Sequence, residues 1–187
     1  MQGTIVHCAL MALERWLYEQ IDRGEAVDVR IVRILAESES LAFAGLLFDV
    51  GKRLPGLFSG PLKPLLQSWV LVKWDWEVTQ LRHHDTLFPG FWGRESPRII
   101  AVAREWFTMP HRRDMLAGLG GGIVQTMMGD EENYPFLDGL RAQWAGGLNA
   151  EGEPETLRLL IERFNPANYT FEVRDGQRPG AGPAHGV

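Results

Sequence analysis

The stretch Ser38–Leu54, SESLAFAGLLFDVGKRL, decides how the rest of the chain is read. From Leu41 to Phe48 no side chain carries a charge or a hydrogen-bond donor. The run is too short to span a bilayer and long enough for a helix buried on most of its faces. Ser38 or Ser40 can accept from the free backbone N–H groups at its start. Lys52 and Arg53 fall in its last turn, where the carbonyl end of the helix favours cations, and Pro55-Gly56 stops it.

Outward from this segment the apolar residues keep a helical rhythm. Ile5, Cys8, Ala9, Ala12, Leu13, Trp16 and Leu17 recur at three- and four-residue steps, which predicts a helix from about Gly3 to Arg23 with this set as its core face. Glu14, Arg15, Glu19 and Asp22 then fall on other faces, and Gly24 ends the helix. Asp28 is placed to cap a second helix with Val27, Ile31, Ile34 and Leu35 buried. Between Leu57 and Trp76 the steps of Leu62, Leu65, Leu66, Trp69, Val70 and Val72 favour helix, although SWVLVKW has the composition of a strand. A helix through Leu81–His84 should give way to a loop at Phe88-Pro89-Gly90, with Phe88, Phe91 and Trp92 needing cover. Ser96-Pro97 is a start signal for a helix carrying Ile99, Val102, Ala103 and Trp106. Another begins at His111. The glycines at 118 and 120–122 each cost ~1 kcal/mol in a helix interior. That segment is therefore either a loop or a backbone packed very close to a neighbour. Pro135 opens a helix with Leu137, Leu140 and Trp144, and Glu153-Pro154-Glu155 opens one with Leu157, Leu160, Ile161 and Phe164.

The expected architecture is all-α: an antiparallel helical bundle or a HEAT-like helical-repeat array, as one domain over 1–173. Tyr169–Val173 reads as a short extended piece, and the glycine- and proline-rich tail 174–187 as disordered. The 187 residues suffice for one domain with a core, and 45% hydrophobic with 23% charged residues is a globular profile. A net charge of −5 argues against general nucleic-acid or anionic-membrane binding. Cys8 is the only cysteine, which excludes an internal disulfide and a cysteine zinc cage. With a weak signal-peptide pattern at the start, this points to the cytoplasm.

Chemistry-bearing motifs are missing or malformed. GLLFDVGKR at 45–53 has one residue too many for a P-loop, and Arg53 stands where a hydroxyl should hold magnesium. GLGGG at 118–122 is followed by Ile123 where a dinucleotide fingerprint needs glycine. His83, His84 and Asp85 are adjacent, and neighbouring helical side chains diverge by about 100°, so they read as a polar loop. Cys8 lies on the apolar stripe, where a thiolate is disfavoured. Glu131-Glu132, and Asp75 near Glu77, are carboxylate pairs able in principle to do acid–base work. Neither a catalytic set nor a cofactor or metal site is assigned. The best local contact candidate is His111, Arg112 and Arg113, a basic cluster at a helix start able to meet an anion or an acidic partner.

VHCALMALERWLY (6–18), SLAFAGLLFDVGKRLPGLF (40–58), MPHRRDML (109–116) and RFNPANYTF (163–171) together resemble the helical region of large bacterial proteins that carry a NACHT- or STAND-type P-loop ATPase elsewhere. The resemblance implies an all-α, repeat-like sensor or scaffold beside a nucleotide-driven switch, sometimes in defence against phage. These residues hold no P-loop, so ATP binding does not carry over, and no catalytic residue transfers. The expectation is a non-enzymatic interaction module with a protein partner. Two rivals are a helical hydrolase-like enzyme with a carboxylate, histidine and tryptophan pocket, and an anion or nucleic-acid contact through the basic cluster.

Overall fold

A computed structural model describes residues 2–83, 97–148 and 154–169. The described chain is all-α, with helices α1 (Gln2–Asp22), α2 (Asp28–Glu37), α3 (Leu41–Arg53), α4 (Lys63–Leu66), α5 (Trp69–His83), α6 (Pro97–Phe107), α7 (Pro110–Arg113), α8 (Leu116–Met128), α9 (Tyr134–Gly147) and α10 (Glu155–Arg163). Short 3-10 turns lie at Pro55–Ser59, Glu131–Asn133 and Pro166–Asn168. No helix among the described residues is long and apolar enough to cross a membrane. The loop at Phe88–Gly90, the aromatic cluster Phe88, Phe91 and Trp92, the extended piece beyond Tyr169 and the tail 174–187 all lie outside the described residues.

The opening stretch is the centre of the packing. Ser40 accepts from Ala42 N–H to start α3, and every residue from Gly45 to Lys52 is buried. Helix α3 packs on α1, α2, α5 and α7, and on the turn Pro55–Ser59. Gly51 makes that last contact: a β-carbon there would lie 2.6 Å from the Phe58 ring and 2.8 Å from Leu62. A second group forms where α8 packs on α9 and α10, and α5 joins the two by touching α3 and α7 on one side and α8 and α9 on the other. The segment SWVLVKW is thus helical, because α5 is surrounded by helices and offered no strand edge.

Local signals are met where backbone chemistry sets them. Gly24, at φ +73°, closes α1 with bonds from Gly24 N–H to Ile21 and from Glu25 N–H to Gln20, the paired return of a left-handed helix stop. Pro97 is the first residue of α6, and the predicted inward sets of α9 and α10 are buried. Asp28 is not a side-chain cap: Val27 holds that position, and Asp28 is the first helical residue.

The main correction is the face of α1. Glu14, Leu17, Tyr18 and Gln20 are the buried residues, with Leu10, Met11, Leu13 and Ile21 partly buried beside them. The stripe expected to be core is largely outside: Ile5 is 73% exposed and Trp16 38%, and Cys8, Ala9 and Ala12 are exposed. The helix carries two apolar faces about half a turn apart, and α3 takes the one that contains a carboxylate and a phenol. Val29 and Val32 on α2 and Leu41 at the start of α3 are exposed as well.

The glycine run is helix, not loop. α8 is continuous from Leu116 to Met128, and its glycines divide into two kinds. A β-carbon at Gly120 would sit 2.9 Å from the fully buried Phe164 ring, and one at Gly121 would sit 3.2 Å from the Tyr169 hydroxyl. Gly118 and Gly122 face open space. Gly120→Ala should therefore destabilise by about 1–3 kcal/mol through overpacking, whereas Gly122→Ala should stabilise by up to about 1 kcal/mol through helix propensity. Urea unfolding of the two variants checks the opposite signs.

Candidate functional site

The described interior holds a cluster of ionisable groups from α1, α3, α5 and α7. Asp49 and Lys52, three residues apart, share a face of α3, and Lys52 Nζ lies 3.0 Å from Asp49 Oδ1. The same ammonium donates to Asp75 Oδ1 of α5 at 2.6 Å. The second oxygen of Asp75 accepts the backbone N–H of Leu116 at 3.0 Å. Leu116 opens α8, whose own cap position, Met115, gives no side-chain bond, so a neighbouring helix supplies the cap that α8 lacks. Lys52 is 2% exposed and Asp75 3%, so burial pushes Asp75 above the usual carboxylate range against the pull of Lys52.

The second half of the cluster is centred on Glu14. It accepts from the guanidinium of Arg112 and, at 2.5 Å, from the Tyr18 hydroxyl. Burial raises Glu14 above its ordinary value, opposed by Arg112, and burial together with the Glu14 charge raises Tyr18. Arg112 lies over the Trp106 ring at 4.8 Å, and Tyr18 packs on Trp106 and, edge to face, on His111 at 4.6 Å between centroids. Arg53 donates to Asp22 and lies over the Tyr18 ring, and its Nη1 is 3.4 Å from His111 Nδ1. Burial, then the nearby Arg53 charge, lowers His111 from 6.5 to about 4, so the ring is neutral at pH 7.

The basic cluster at 111–113 is therefore divided. His111 and Arg112 are buried, facing Tyr18 and Glu14, and Arg113 is exposed. Of the three residues read as an anion or partner contact, Arg112 has its guanidinium on an internal carboxylate. The carboxylates considered for acid–base work are separated too: Asp75 is buried, while Glu77, Glu131 and Glu132 are exposed. His83 ends α5, and His84 and Asp85 lie outside the described residues. Among the described residues no three His, Cys, Asp or Glu side chains come together in a way that could hold a metal ion. A small recess beside Asp75 is lined by Val72, Trp76, Met115, Leu116 and Thr156, but both Asp75 oxygens are already engaged.

The sequence reading missed Glu14, Asp49 and Asp75 as partners. One signal was present: Asp49 and Lys52 are a charge pair at a three-residue step inside an otherwise apolar helix. Their third member, 23 residues on, has no such local mark. No family model, curated protein or solved structure matches the chain.

The depressed His111 value has a consequence for stability. Between about 4 and 6.5 the unfolded chain binds the proton that the folded ring refuses. Stability from this group is thus full above 6.5 and is lost as pH falls toward 4. Glu14 and Asp75, raised in the folded state, act in the opposite sense and gain stability as pH falls. The difference between the wild type and His111→Gln isolates the ring. The wild type's advantage should shrink by an amount on the order of 2 kcal/mol from pH 7 to pH 4, as read from urea midpoints across that range.

Proposed function

We propose that the chain is a non-enzymatic, all-α interaction module that binds a protein partner through the outer face of α1. The observation that carries this reading is the stripe Ile5, Cys8, Ala9, Ala12 and Trp16, apolar, exposed and uncharged for three helical turns. An exposed apolar surface of this kind marks a contact site more often than a scattered hydrophobe does. The described ionisable groups that converge in the interior face one another rather than an open pocket, which favours a structural role for them. The four sequence phrases at 6–18, 40–58, 109–116 and 163–171 extend the proposal: the module is the sensor-like part of a bacterial STAND-type, defence-related system.

Ala12→Glu is the direct test. The position is exposed, so the fold should stand, while a charge in the middle of the stripe should oppose an apolar partner. Immobilised wild-type chain should retain a protein from bacterial lysate that the variant does not. Equal retention by both would place the contact elsewhere. Recovery of a P-loop ATPase in the retained fraction would support the STAND assignment, and a partner of another class would remove it.

A further inference from the structure

We propose that α1 is an acid-released arm: when His111 takes up a proton, α1 leaves α3 and α7 as a unit, turning about Gly24, while α8, α9 and α10 stay packed. The inference concerns the inner face of α1 and is independent of any partner on its outer face. Its first support is how little apolar burial holds the helix. Among the described residues of α1 four are buried, Glu14, Leu17, Tyr18 and Gln20, and only Leu17 is wholly apolar. On α8 the buried residues are Leu116, Ala117, Gly120, Ile123, Val124 and Met127, none with a polar side chain. Elements that bury few apolar side chains open at lower free energy than the core. Gly24, at φ +73°, joins α1 to a connector that ends at the buried Val27, so α2 keeps its own anchor when α1 leaves.

The rest of the attachment is polar and converges on α7 and the end of α3. Glu14 accepts from Arg112, Asp22 accepts from Arg53, and Tyr18 packs edge to face on His111. The His111 ring is buried, and its two nitrogens leave no place for a second proton. Nδ1 is 3.4 Å from Arg53 Nη1. A guanidinium only donates, so Nδ1 is the accepting, unprotonated nitrogen. Nε2 is buried and has no hydrogen-bond partner. A proton added at Nδ1 therefore sets N–H against N–H and cation against cation. The charged groups turned toward this junction are Glu14 and Asp22 of α1, Asp49, Lys52 and Arg53 of α3, Asp75 of α5 and Arg112 of α7. Each of these carboxylates is already paired: Glu14 with Arg112, Asp22 with Arg53, and Asp49 and Asp75 with Lys52. Departure of α1 takes Tyr18 off the ring and Asp22 off Arg53, and the imidazolium is then free to meet water.

Hydrogen–deuterium exchange of the full chain, read by mass spectrometry and corrected for the intrinsic effect of pH on exchange, tests the arm. At pH 7 the amides of residues 14–22 should be protected. From pH 7 to pH 4.5 their opening constant should rise while that of α8 stays low. The ratio of the wild-type constant to that of His111→Gln should rise by at least roughly tenfold over this range. Glutamine keeps an acceptor for Arg53 and takes up no proton. Reading the ratio also removes Glu14, whose own protonation acts in the opposite sense. Arg53→Gln, at a partly exposed position, is the second variant. It removes the opposing cation, so α1 should start looser and respond less to acid. Protection lost together in residues 14–22 and α8 at every pH overturns the arm. So does an α1 already unprotected at pH 7, or an acid response that neither substitution reduces.

Discussion

Lys52→Met is expected to destabilise the fold by about 3–5 kcal/mol, the usual cost of removing one partner from a buried ion cluster. The side chain lies between Asp49 and Asp75, and all three are nearly inaccessible to solvent. Methionine fills the volume and removes only the charge, so the loss reports electrostatics rather than a cavity. The effect should depend on pH in a set direction. Without the ammonium, the Asp75 carboxyl, already raised by burial, rises further. The folded state then takes up a proton that the unfolded state, near its ordinary 3.8, gives up. The variant regains stability as pH falls from neutral, and the gap to wild type narrows. Adding Asp75→Asn should restore part of the loss at neutral pH, because the amide oxygen can still accept from Leu116 N–H. Urea titrations at pH 7 and pH 4.5 on the wild type, the single variant and the double variant measure all of this. A pH-independent loss would show that Asp75 takes up no proton in the folded variant and that the pairing with Lys52 does not set its charge.

Trp144→Ala should cost about 3–5 kcal/mol, the range for removing a large buried aromatic. The indole is fully buried on α9, packs edge to face on Phe164 at 4.8 Å and is tilted against Trp69 at 6.2 Å. Its Nε1 donates to the carbonyl of Leu66 at 2.8 Å, which ties the end of α4 to α9 across 78 residues of chain. Trp144→Phe keeps much of the apolar volume and loses that bond. Its cost should be smaller, and the part due to the orphaned carbonyl about 1–3 kcal/mol. Comparing the two variants by chemical denaturation separates packing from hydrogen bonding. An alanine variant within 1 kcal/mol of wild type would mean that the core closes over the space.

Helix positions were legible where local rules act. The buried sets of α9 and α10, the stop at Gly24 and the proline start of α6 follow from spacing and backbone chemistry confined to a few residues. The face of α1 was not legible. Periodicity reports that an apolar stripe exists, and α1 has two; which one faces inward depends on Arg112, 98 residues away, coming to meet Glu14. The same holds at 111–113, where three basic residues in a row look alike in sequence and only the packing of α7 against α1, α3 and α5 sorts buried from exposed. The glycines of α8 stand between these cases. Their cost in a helix was readable, and the alternative of close approach proved to be the one realised, through Phe164 at Gly120 and Tyr169 at Gly121.

The long separation of Glu14 from Arg112 also bears on how the chain is made. On a ribosome adding 5–20 residues per second, Glu14 waits roughly 5–20 s before its guanidinium is synthesised, and longer before that residue clears the exit tunnel. Lys52 and Asp75 are both available well before then. The nascent N-terminal half thus carries a helix whose inward face includes a carboxylate with no counterion yet made. The buried contact of α1 with α7 is therefore completed only after the chain through Arg112 has been made.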